Sequence, residues 1–221
     1  MVAGGESQGR GHDPSLLGGR QRLLVFRGQP EDGNVPPMRN PLAPLWRVDR
    51  HLLLRRAGAA TAFTFLAVFA TGWPLRLPET PLGIVSLELA RSAARASDVV
   101  ASWDSAGLSA VATANVILDF SFLASYAVLL AVLALWSGAR LAVGRSEGWL
   151  VAGAVVGWIQ IGAGALDAGE NIGLLLMLGG SISDGLAALV RVVALVKFGL
   201  VAFGLVWAAI GLAVGLGRKA P

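Results

Sequence analysis

The sequence predicts an all-α integral membrane protein, a four-helix bundle with an amphipathic helix between its first two spans. Three observations lead there. Of 221 residues, 55% are apolar and only 14% charged, whereas a soluble domain carries about a quarter charged residues. Four runs reach the roughly 20 apolar residues needed to cross about 30 Å of hydrocarbon. Those runs also stay apolar all round, where helices of soluble proteins keep a polar face. The sequence has no Cys, which excludes disulfides, zinc-thiolate sites, iron-sulfur clusters and a cysteine nucleophile. Both histidines, His12 and His51, precede the first long apolar run, so histidine catalysis or metal ligation within the apolar part is excluded too.

Residues 1–45 mix Gly, Pro, Arg and Ser with few clustered apolar residues and are expected to form a disordered basic cytoplasmic tail. Nine Arg and five acids lie in the first 56 positions. They suit contact with anionic lipid headgroups, or act as a topology signal alone. The membrane domain is expected over residues 46–221.

The first span, about residues 55–75, follows Arg55-Arg56 and ends at Trp73-Pro74, an interfacial aromatic beside a helix stop. After it, Thr80-Pro81 has the form of a helix start, Thr as cap and Pro at the first helical position. Leu82, Val85, Leu89, Ala93, Ala96, Val100 and Trp103 then recur at spacings of three and four, with Glu88, Arg91, Arg95 and Asp98 on another stripe. This predicts an amphipathic helix over residues 81–103, lying along the outer surface or capping the bundle, with Trp103 at the interface. Spans two, three and four follow at about residues 109–137, 149–178 and 186–217. Arg is concentrated in the tail, Arg140 and Arg145 follow span two, and Arg218 and Lys219 follow span four. By the positive-inside rule both termini are cytoplasmic.

Ionisable residues inside spans are costly and usually face the bundle interior, another charge or a water cavity. Here they are Asp119, Asp167, Glu170, Arg191 and Lys197. Counted inward at 1.5 Å per residue from outer ends near Ser109, Leu178 and Leu186, they lie roughly 8–16 Å deep, at overlapping heights. Asn115, Asp119 and Tyr126 share one face of span two, and Gln160, Asp167 and Asn171 one face of span three, with Glu170 adjacent. Lys197 shares a small-residue face with Val201, Gly204, Ala208, Gly211 and Gly215 and is expected to point inward. Arg191 is shallow enough to snorkel. The formal sum of minus one leaves a carboxylate over for a proton or a cationic group. Pairs at Gly153/Gly157, Gly169/Gly173 and Gly211/Gly215 permit close helix contacts within the chain or between copies in a homo-oligomer.

The stretch Thr80-Pro81-Leu82-Gly83-Ile84-Val85-Ser86-Leu87-Glu88-Leu89-Ala90 followed by Trp103, then Leu118-Asp119-Phe120 with Tyr126, and Leu166-Asp167-Ala168-Gly169-Glu170-Asn171, resemble a family of small four-span bacterial inner-membrane proteins. The resemblance covers residues 50–217. It implies a multi-pass bacterial inner-membrane location and carries no activity with it.

The expected function is binding of a lipid or amphipathic small molecule at the polar centre, with Asn115, Asp119, Tyr126, Asp167, Glu170, Asn171, Arg191 and Lys197 as candidate ligand-binding residues. Two alternatives stand beside it. One is an integral-membrane enzyme using Asp167 and Glu170, one turn apart, for acid/base work on a lipid or isoprenoid. The other is a structural or assembly subunit whose charges lock helix packing. No cofactor is expected. An oxygen-only set would suit Mg²⁺ or Ca²⁺, but Lys197 competes for those carboxylates, so no metal site is assigned. The Arg-rich tail lacks an aromatic-basic recognition pattern, so no nucleic acid is expected as a partner.

Overall fold

A computed structural model describes residues 50–217; the tail expected over residues 1–45 lies outside them. The described chain runs α1 (Arg50–Gly72), a 3-10 turn (Trp73–Leu75), α2 (Val85–Glu88), α3 (Ala93–Ser105), α4 (Ser109–Ala142), α5 (Gly148–Leu178) and α6 (Asp184–Gly217). No strand occurs among the described residues. Four of these helices, α1, α4, α5 and α6, are long and apolar enough to cross a membrane, as the sequence predicts.

The four long helices are not equivalent. Helices α4, α5 and α6 pack on one another, while α1 lies along α4 and makes no comparable packing with α5 or α6. Ala57 is the one buried residue of α1 among those described, and Phe63, Phe65, Leu66 and Phe69 are exposed. Helix α1 is nonetheless tied to α4 by polar contacts. Thr64 Oγ1 and Ser125 Oγ lie 2.9 Å apart, and Asn115 Nδ2 donates to Val68 O at 2.7 Å and to Thr71 Oγ1 at 2.8 Å.

One close helix contact pairs glycine with glycine. A Cβ added at Gly138 would stand 2.6 Å from Trp149 O and 2.8 Å from Gly153 Cα, so the α4 and α5 backbones meet where neither has a side chain. Gly173 of α5 makes room for Val190 of α6, and Gly211 and Gly215 of α6 make room for Ser137 and Arg140 of α4. Gly169 faces open space and takes no part in the close contact its spacing suggests.

The connection between α1 and α4 departs from the single six-turn helix expected. It is a turn, the one-turn α2, a break, and then α3. Thr80 is no helix cap: it is wholly buried, and its Oγ1 donates to Leu75 O at 2.7 Å and accepts from Leu77 N at 3.3 Å. Gly83 then takes φ 61°, a left-handed conformation that suits a residue without Cβ, and the chain turns before α2 begins. The cap that starts the real helix is Ser92, whose Oγ accepts from Arg95 N at 3.3 Å. Asp184 Oδ1, at the start of α6, accepts from Ala93 N at 2.7 Å, so one carboxylate joins the N-termini of α3 and α6.

Trp103 is also displaced from its expected place at an interface. It is fully buried, with Nε1 donating to Leu75 O at 3.0 Å and to Thr80 Oγ1 at 3.2 Å. Around it lie Leu75, Leu87, Ala96, Val99, Leu174, Met177 and Val190. The connection is thus a cap that shares one apolar core with the ends of α4, α5 and α6 and is held in register by the indole.

Candidate functional site

Beneath this cap three helices bring their ionisable residues together. Lys197 of α6 has its Nζ 2.5 Å from Asp167 Oδ1 and 2.9 Å from Glu170 Oε2, both on α5. Asp167 Oδ2 accepts from Tyr126 Oη of α4 at 2.8 Å. On α4, Asp119 Oδ2 accepts from Asn171 Nδ2 of α5 at 2.7 Å. Each pair joins different helices, because the residues lie on inward faces at one height. Of α6, only the small-residue face could bring a lysine so near α5: Lys197, Gly204 and Gly211 recur every seven residues and all are buried.

The structure adds a residue that sequence reasoning left on a solvated stripe. Glu88 of α2 is only 6% exposed, and its Oε2 stands 3.9 Å from Lys197 Nζ. Its side chain also faces that of Glu170. Burial pushes the Glu88 carboxyl above its ordinary range, against the opposing pull of Lys197. Its neighbours hold the signal that could have found it. Leu87 and Leu89 flank it, and Ser92 after it has the form of a helix start, which separates Glu88 from Arg91, Arg95 and Asp98.

Arg191, by contrast, does not join the cluster. It is half-exposed and makes no ion pair among the described residues. Six residues before Lys197, it lies roughly 120° round the helix from the buried face at 3.6 residues per turn. The charge balance therefore changes. Three carboxyls, Glu88, Asp167 and Glu170, stand within ion-pair distance of the Lys197 ammonium, and Asp119 lines the same cavity, a formal excess of three negative charges where the sequence count gave one.

A cavity of about 400 Å³ opens beside the cluster, walled by residues of α1, α2, α4, α5 and α6. Glu88, Asn115, Asp119, Asp167, Asn171 and Lys197 contribute its polar wall. Phe122, Leu129, Leu130, Val201 and Leu205 line much of the rest. Along α4 the lining runs from Asn115 to Leu130, about 22 Å at 1.5 Å per residue, with Asn115 and Asp119 at one end. The cavity occupies the space left because α1 leans on α4 rather than closing against α6. Of the candidates named from the sequence, Asn115, Asp119, Tyr126, Asp167, Asn171 and Lys197 line it, Glu170 stands behind Lys197, and Arg191 is outside.

A second polar layer lies deeper in the helix contact. Gln160 Nε2 donates to Leu200 O at 3.0 Å, while its Oε1 has no hydrogen-bond partner, and Gly204 makes room for this side chain. Trp207 Nε1 donates to Ala134 O at 3.1 Å. These contacts join α6 to its neighbours and do not line the cavity.

Among the described residues no group of His, Cys, Asp and Glu could hold a metal ion. No family model, curated protein or solved structure matches the chain.

Proposed function

We propose that this chain is a multi-pass protein of a bacterial inner membrane that binds a lipid or amphipathic small molecule in the cavity beside Lys197. The observation that carries this reading is the cavity's composition: a largely apolar chamber of about 400 Å³ with carboxylates and amides gathered at one end. An engineered cavity of about 150 Å³ already takes benzene, so this volume suits a larger molecule. Ligand sites are typically apolar chambers with a few placed polar groups. The gap between α1 and α6 offers a way in from the bilayer. The basic residues beside the termini support a cytoplasmic position for both ends, with the α2/α3 cap on the outer face.

Native mass spectrometry of the protein released from membranes tests the reading. The wild type is expected to retain an amphiphile in excess over bulk lipid, and a cavity-filling Val201→Trp variant to lose it. If the wild type carries bulk phospholipids only, in the proportions of the membrane, the reading is wrong.

One observation favours the enzyme alternative: Glu88 and Glu170 are both buried beside Lys197, an arrangement that can hold and release a proton. It requires a deletion strain to accumulate a lipid or isoprenoid substrate. An unchanged lipid profile would remove it.

A further inference from the structure

Three acceptor atoms at the polar end of the cavity lack donors. Asp119 Oδ2 is taken by Asn171, but Oδ1 accepts no hydrogen bond from the described residues and no cation stands within ion-pair distance of it. Asn115, which lines the same cavity, has its amide nitrogen committed to Val68 O, which can only accept, and its Oδ1 accepts no hydrogen bond from the described residues. Glu88, more than nine-tenths buried, lines the same cavity, and its Oε2 has no hydrogen-bond partner. Asn115 and Asp119 are one turn apart on α4, so their side chains are neighbours.

Lys197 cannot meet this demand. Its ammonium donates to Asp167 Oδ1 and stands 2.9 Å from Glu170 Oε2 and 3.9 Å from Glu88 Oε2, so its charge is engaged by three carboxyls. Its positive charge is already shared among those three carboxyls, which disfavours drawing in a further anionic group. The charge count points the same way. Counted formally, four carboxyls stand against one ammonium. A site rich in acceptors and in excess negative charge, within a low dielectric, favours a donor that carries positive charge.

Building on the amphiphile reading, we infer that the polar end of the ligand is a protonated amine, held by Asp119 Oδ1 and Asn115 Oδ1, with its hydrocarbon part running along Phe122, Leu130 and Val201. The ligand class is a long-chain or ring-bearing amine without an anionic group near its nitrogen. A phosphate or carboxylate there would face Asp119 and Glu88, with Lys197 already paired to carboxyls.

The test uses the full chain in nanodiscs of zwitterionic lipid and three probes sharing one hydrocarbon tail: dodecylamine, 1-dodecanol and dodecanoate, with empty nanodiscs to subtract partitioning. Dodecylamine is expected to bind saturably and at least tenfold tighter than dodecanol, and dodecanoate not to bind. Asp119→Asn should weaken dodecylamine about tenfold and leave dodecanol unchanged, and retention of dodecanol shows the variant's cavity intact. If the variant fails to fold, the comparison of the three probes on the wild type still decides. Equal or tighter binding of dodecanol or dodecanoate overturns the amine assignment and leaves the amphiphile site standing. Saturable binding of none of the three overturns both.

Discussion

Lys197 Nζ lies 2.5 Å from Asp167 Oδ1, joining α6 to α5 inside the helix bundle. The lysine is shielded from bulk solvent, its side chain only 7% exposed. Removing it leaves Glu88, Asp167 and Glu170 buried without a counter-charge. Breaking one partner of a buried pair costs about 3–5 kcal/mol, so Lys197→Met should lower stability by that amount in a detergent unfolding titration. Tyr126→Phe, which removes one hydrogen bond to the same Asp167, should cost about 0.5–1.5 kcal/mol. Equal stability of Lys197→Met and wild type would show that the lysine does not organise the cluster.

Glu88 makes a pH-dependent contribution whose sign follows from its burial. Its carboxyl is held above its ordinary value of 4.5 chiefly by desolvation. The folded state therefore binds the proton more tightly than the unfolded chain. The stability it contributes is complete below pH 4.5 and is lost as pH rises through the folded value. Glu88→Gln keeps a neutral side chain at every pH. The difference in stability, wild type minus variant, should be flat below about pH 4.5 and decline above it. Parallel profiles across pH 4–9 in thermal unfolding would contradict this burial of Glu88.

The glycine contacts divide into those that carry packing and those that do not. At Gly153 an added methyl would stand 2.9 Å from Ala134 O and from Gly138 Cα, both backbone atoms that cannot rotate aside. Gly153→Ala should cost about 1–3 kcal/mol through overpacking. Gly162, exposed on the same helix with nothing near its added methyl, should gain roughly 0.4–1 kcal/mol on substitution by Ala. Measuring both variants separates helix propensity from the α4–α5 contact. Equal effects would place that contact elsewhere.

The cap depends on one indole. Trp103→Ala should destabilise by about 3–5 kcal/mol, as for other buried tryptophans. Trp103→Phe keeps most of the apolar bulk but leaves Leu75 O with Thr80 Oγ1 as its remaining side-chain donor, at a cost nearer 1 kcal/mol. Amide hydrogen exchange should show faster opening over residues 75–105 in both variants. Unchanged exchange there would mean that the indole does not hold the cap.

The long helices were legible because each is bounded by local chemistry. Pro74 follows α1, Gly179-Gly180 end α5, and the charge-free runs reach spanning length. The inward direction of Lys197 was legible as well, from the small residues recurring on its face. The cap was not. Apolar spacings of three and four run unbroken from Leu82 to Trp103, so periodicity gave no sign of the break before Ser92. Glu88 was hidden for a related reason: its burial depends on Lys197, more than a hundred residues later. Arg191 was misplaced by depth alone, because height along a helix says nothing of the direction a side chain takes.

Helix α1 has no ionisable residue between Arg56 and Arg76 and leans on α4 alone. Such a segment can enter lipid by itself and wait there while the rest of the chain is synthesised. Helices α5 and α6 cannot be treated in that way, since an isolated α6 would carry Lys197 into hydrocarbon at a cost of several kcal/mol. The connection joining them, residues 179–183, is five residues long, so the carboxylates and the lysine leave the ribosome close together. The order of residues along the chain thus suits an insertion in which α5 and α6 enter the membrane as a hairpin, already neutralising one another.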